Sequence, residues 1–190
     1  MMSEGANKTA LNAILMLALT GARRSEVLEL TWSAVDTDAH CLRLSSTKTV
    51  PQNRPLGVAA IQLLNNLDAT NEWVFPATRT TFKPGGKGPF VGIQKVWSEL
   101  RKRAQMQGLH LHGLRHFFAS AAHDSGHSKF VVAGLLGHSV RGDTERYVSV
   151  VDQTLVNAAD KVSRHIQDMW FNASQSQSDT DSDLPEGVQL

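Results

Sequence analysis

A chain of 190 residues, 41% of them hydrophobic, has room for one domain with its own core and little more. No run approaches ~18 uncharged apolar residues, and Met1 to Lys8 lacks the basic and apolar blocks of a secretory signal, so neither a membrane span nor export is expected and the cytoplasm is. Cys41 is the only cysteine, which excludes an internal disulfide framework and a cysteine-based zinc knot.

The net charge of +1 hides an asymmetry. Residues 172–190 hold four acids (Asp179, Asp181, Asp183, Glu186) and no Lys or Arg, leaving 19 basic against 14 acidic residues in the rest. That balance permits a polyanionic partner without demanding one.

Ala10 to Leu19 is apolar on nearly every face and reads as a buried helix stopped by Gly21. Ser25 to Leu30 suggests a second, short helix ending near Trp32. Cys41 to Leu44 alternates weakly, as a strand would, with Pro51 and Asn53 in a turn and Leu56 to Val58 beginning a return strand. Ala59 to Leu67 fits an amphipathic helix, and the Gly-, Pro-, Thr- and Lys-rich stretch from Pro76 to Pro89 fits a surface loop. Helix returns from Val91 to Gln107, again from His112 to Ala122, and near Phe130 to Leu136, where Gly137 ends it. Leu155, Ala159, Val162, Ile166 and Met169 recur at helical spacing. The Ser-, Gln- and Asp-rich sequence after Trp170 has nothing with which to build a core. The expected organisation is one mainly α domain with a small antiparallel β-sheet over residues 1–171, then an acidic disordered tail over 172–190.

The carboxylates of the ordered part are scattered, with no DxD or ExxK grouping suited to metal-assisted phosphate chemistry. His112/His116 and His123/His127 are spaced four apart, but no acid or cysteine at matching spacing completes a zinc site, so no metal or other cofactor is expected. What remains is a metal-free set. Arg23 and Arg24 follow Gly21 at a helix junction, and being adjacent they point in different directions. Glu26 and Glu29 offer Arg23 an ordinary ion pair. His112 and Arg115 are three apart, on one face of a helix. His138 follows Leu135-Leu136-Gly137, and Tyr147, the only tyrosine, lies nine residues on. Spacing alone does not show that these groups converge.

The segments around them resemble the catalytic domain of the tyrosine recombinase (phage integrase) family. Thr20-Gly21-Ala22-Arg23-Arg24-Ser25-Glu26-Val27-Leu28-Glu29-Leu30 is similar to the family's first arginine box. Leu111-His112-Gly113-Leu114-Arg115-His116-Phe117-Phe118 resembles the second, Leu135-Leu136-Gly137-His138-Ser139 the next histidine motif, and Thr144-Glu145-Arg146-Tyr147 the nucleophile motif. Thr47-Lys48-Thr49 falls where the family carries a lysine in a β-hairpin. Four boxes in order, with the only tyrosine at the nucleophile position, cover the chain from about Leu11 to Trp170.

The resemblance implies the fold of DNA breaking-rejoining enzymes and a site made of Arg23, Lys48, His112, Arg115, His138 and Tyr147. It implies that the two arginines grip the scissile phosphate, Tyr147 attacks phosphorus, and Lys48 protonates the departing 5′ oxygen. His112 would assist proton transfer and His138 would donate to a non-bridging oxygen. The implied partners are double-stranded DNA, sister protomers in a tetramer on DNA, and DNA-bending accessory proteins, with no membrane involved. Two features depart from the pattern: Gly113 stands where an acid is usual, and the hairpin after Lys48 is about one residue short. The N-terminal clamp domain of the family is expected to be absent. The competing expectations are a DNA-binding remnant without turnover and a relaxing topoisomerase of the related type IB.

Overall fold

The computed structural model describes residues 4–44, 52–77, 88–137 and 152–181. Helix α1 (Glu4–Thr20) is the central strut, packed against helices α3 (Val58–Asn65), α4 (Ile93–Arg103), α5 (Gly113–Asp124) and α7 (Gln153–Asp181). Neighbours on so many sides explain why its sequence is apolar nearly all round: Ala10, Ala13, Ile14, Met16, Leu17 and Leu19 are all buried. The short helices α2 (Arg24–Leu28) and α6 (Lys129–Leu135) complete the set among the described residues.

Beside the helices lies a three-stranded antiparallel sheet in the order β1 (Val35–Asp36), β2 (Cys41–Leu44), β3 (Gln52–Pro55). The fold class is therefore mainly α with a small antiparallel sheet, as expected. Cys41 pairs with Pro55 and Leu42 with Arg54, and Pro55 is tolerated because β3 is an edge strand among the described residues.

Two details differ from the sequence reading. The return strand is Gln52–Pro55 rather than Leu56 to Val58, and Asn53 sits within it opposite Arg43 instead of in a turn. The cause is tertiary. Gly57 and Val58 open α3, and the Val58 N–H is taken at 2.7 Å by the Asp160 carboxylate of α7, a helix cap supplied from 102 residues away. Secondly, the α7 backbone stays helical through Asp181, so no break in the helix marks residue 172. A long helix anchored by Val156, Ala159, Val162 and Ile166 adds each further turn without a new nucleation cost.

The loop expected from Pro76 to Pro89 is pinched at its base, where Ala77 N–H donates to the Gly88 carbonyl at 2.9 Å. Lys83 and Lys87 lie outside the described residues. Trp97 is buried, and Trp32 and Trp170 are packed against the core.

Candidate active site

The first arginine is placed by the way α1 ends. Thr20 Oγ1 donates to the Met16 carbonyl at 2.6 Å and accepts from Ala22 N–H at 3.2 Å. Gly21 adopts φ +60°, the left-handed conformation that turns the chain sharply. Arg23 thereby becomes the N-cap of α2 with extended backbone. Glu26, three residues into the helix, reaches back: one carboxylate oxygen accepts from Arg23 N–H at 2.8 Å, and the other pairs with Arg23 Nη1 at 2.7 Å. Burial opposes the Glu26 charge, but Arg54 and Arg23 outweigh it and hold this carboxyl below its ordinary pKa.

The second arginine works from inside. Arg115 is buried, donating through Nη1 to the Gly21 carbonyl at 2.6 Å and through Nη2 to the Leu136 carbonyl at 2.9 Å. Burial first, then the Arg23 charge, lower its pKa against the pull of Glu26. His112 is exposed at the N-cap of α5, its ring edge-on to His116 with centroids 5.0 Å apart. The two residues of this segment thus sit at different depths rather than side by side on a helix surface.

Both nevertheless border one cleft of about 320 Å³ between the end of α1, α4 and the start of α5, together with Arg24, Arg101 and His110. Of the adjacent arginines, Arg24 borders this cleft while Arg23 is directed to Glu26, so the expectation that they diverge holds. Lys48, His138 and Tyr147 lie outside the described residues. Gly137, immediately before His138, is described, and ends α6 at φ +64°. Among the described residues no three His, Cys, Asp or Glu side chains are gathered in a way that would hold a metal ion.

Sequence reasoning missed one charged residue at the centre of this region. Arg54 of β3 has a side chain with no solvent exposure, an ion pair to Glu26 at 2.9 Å and a hydrogen bond from Nη1 to the Leu135 carbonyl at 3.2 Å. Burial lowers its pKa to about 10, which leaves it charged at neutral pH. Local pattern carried no signal for it, because Arg54, Pro55 and Leu56 are all buried and burial does not alternate along this stretch.

The first and second boxes therefore meet in space, through Gly21, although 94 residues separate Arg115 from it. Residues 2–154 match the phage integrase family. The chain belongs to the phage integrase family. This phage integrase family member is 30% identical over 165 residues to tyrosine recombinase XerC of Pediococcus pentosaceus, covering 80% of this chain and 54% of that protein. It is 28% identical to tyrosine recombinase XerD of Bifidobacterium longum over 149 residues, covering 72% and 48%. In three dimensions it is similar to the integrase from mycobacterium phage Brujita, with a TM-score of 0.61 at 21% identity over 82% of this chain and 52% of that one. The chain spans about half the length of the curated relatives it matches.

Proposed function

We infer that this chain carries the chemistry of site-specific DNA strand exchange, cutting and rejoining a backbone phosphate through Tyr147. The observation that carries this reading is the hydrogen bond from Arg115 to the Gly21 carbonyl, which brings the second box to within two residues of Arg23 in the chain, beside the cleft that His112 borders. Two guanidinium groups held in place supply forked donors for a phosphate and meet the charge that grows on its oxygens in the transition state.

On this reading the Tyr147 phenol attacks phosphorus in line. The new O–P bond forms as the bond to the 5′ oxygen breaks, leaving a 3′-phosphotyrosyl link. Lys48 gives its proton to the 5′ oxygen, His112 assists the loss of the phenolic proton, and His138 donates to a non-bridging oxygen. The reverse attack by a 5′ hydroxyl of another strand restores the backbone, and the covalent link conserves the bond energy. Double-stranded DNA is the substrate. Tetramers form only on DNA, aided by proteins that bend it.

The test is a nicked suicide duplex drawn from DNA flanking the coding sequence, analysed on a denaturing gel beside Tyr147→Phe. A DNA–protein adduct that the variant fails to form supports the reading. Salt-sensitive binding without any adduct would instead assign a domain that holds DNA without turning it over, and relaxation of supercoiled plasmid without site preference would assign a topoisomerase.

A further inference from the structure

We propose that Arg54 is a positioning residue for strand cleavage, holding three separate segments of the site in register from beneath. The proposal rests on the reading of Arg23, Lys48, His138 and Tyr147 given above.

Its geometry distinguishes it from an ordinary buried ion pair. Through Nη2, Arg54 holds Glu26, and Glu26 in turn holds both the backbone N–H and the guanidinium of Arg23. Through Nη1 it donates to the Leu135 carbonyl, one of the acceptors that the end of α6 leaves without a partner inside the helix. The next carbonyl along, Leu136, is taken by Arg115. Two guanidinium groups thus grip consecutive carbonyls at the point from which the chain leaves for His138.

Contact continues one residue further. A Cβ on Gly137 would lie 2.8 and 2.9 Å from the two terminal nitrogens of Arg54, and 2.9 Å from Gln52 Oε1. Only glycine lets the chain cross the guanidinium this closely, and Gly137 also has φ +64°. Arg54 itself belongs to β3, which leads back toward the segment carrying Lys48. One side chain therefore joins the first arginine box, the arm after Lys48 and the approach to His138.

An arginine is costly to bury here. A guanidinium without solvent contact incurs a large desolvation cost, and among the described residues Arg54 Nε has no hydrogen-bond partner. An apolar side chain of similar length would avoid that desolvation, but on its own it would leave the Glu26 carboxylate and the Leu135 carbonyl each short of a donor. What it would not supply is a planar fork that fixes Glu26 and the Leu135 carbonyl relative to each other.

The experiment uses the full chain with Arg54→Met and Arg54→Lys, on the same nicked duplex. Three quantities are read: the thermal melt, the Kd for the duplex by fluorescence anisotropy, and the single-turnover rate of adduct formation at saturating DNA. Arg54→Met is expected to melt cooperatively but at a lower temperature, and in its folded fraction to bind with unchanged Kd while cleaving about 10–100-fold more slowly, by analogy with the loss of groups that orient metal ligands. Arg54→Lys keeps the charge but offers a single nitrogen, so it too should cleave more slowly at unchanged Kd. It carries the test if the methionine variant does not fold. A folded variant that cleaves at the wild-type rate overturns the proposal, as does a rate loss matched by equal losses in binding and folded fraction. If wild-type protein forms no adduct, the reading of the active site fails first and the role of Arg54 falls with it.

Discussion

Arg115 and Gly21, 94 residues apart in sequence, are joined by a 2.6 Å hydrogen bond from the guanidinium to the carbonyl oxygen at the end of α1. The same side chain holds Leu136, so one buried arginine sets the distance between the ends of α1 and α6. Arg115→Gln is expected to strand at least one of these carbonyls, costing about 1–3 kcal/mol for each one left unsatisfied. Adduct formation should fall further than stability does, by roughly 10²–10³. Urea melts and the suicide-duplex assay on the same preparation separate the two effects. Wild-type cleavage by the folded variant would show that Arg115 is purely structural.

Gly21 has no room for a side chain. A Cβ there would lie 2.6 Å from Phe118 Cδ1 and 2.9 Å from Leu136 Cδ2, on a backbone with φ +60°. Gly126 shares the positive φ, at +84°, but has nothing within 4 Å of its Cβ position. Gly126→Ala therefore measures the backbone penalty alone, about 1–2 kcal/mol. Gly21→Ala adds overpacking of roughly 1–3 kcal/mol. Equal losses of Tm in the two variants would contradict the close packing between α1, α5 and α6.

Docking of α7 depends on another close approach, this one at ordinary φ. A Cβ on Gly57 would come 2.3 Å from both the Ala159 carbonyl oxygen and Ser163 Oγ. Gly57→Ala must push α7 away and should destabilise by about 1–3 kcal/mol. Asp160→Ala, which removes the cap on Val58 N–H, should cost about 1 kcal/mol. Because both act on the same junction, their effects in a double-mutant cycle should be non-additive. Simple addition would mean that cap and contact are independent.

His127 is expected to make stability depend on pH. Burial, with the nearby Lys161 charge, lowers its pKa below the ordinary value of 6.5. Between the lowered native value and 6.5 the unfolded chain binds more protons than the folded one, so stability rises with pH there. This contribution is full above 6.5 and is lost on acidification. His127→Gln should flatten the dependence of unfolding free energy on pH below that point. An unchanged slope would place the titration elsewhere.

The sequence alone determined the parts of this protein that local physics sets. An all-round apolar α1 has to be surrounded, and helix periodicity located α3 through α6 and the start of α7 to within a few residues. Gly21 and Gly137 end their helices because few other residues accept positive φ. The boxes around Arg23 and Arg115 were legible because each is a short contiguous motif. Tertiary structure alone decided that α3 starts at Val58, since its cap comes from Asp160 on α7. It alone sent Arg115 inward and left His112 outside, because the acceptors for Arg115 belong to Gly21 and Leu136. Arg54 is the clearest case. In sequence it is one charged residue beside a proline, and its role exists only because Glu26, Leu135 and Gly137 arrive around it from two other parts of the chain. A buried charge is defined by its partners, and when they come from distant segments no local pattern records them.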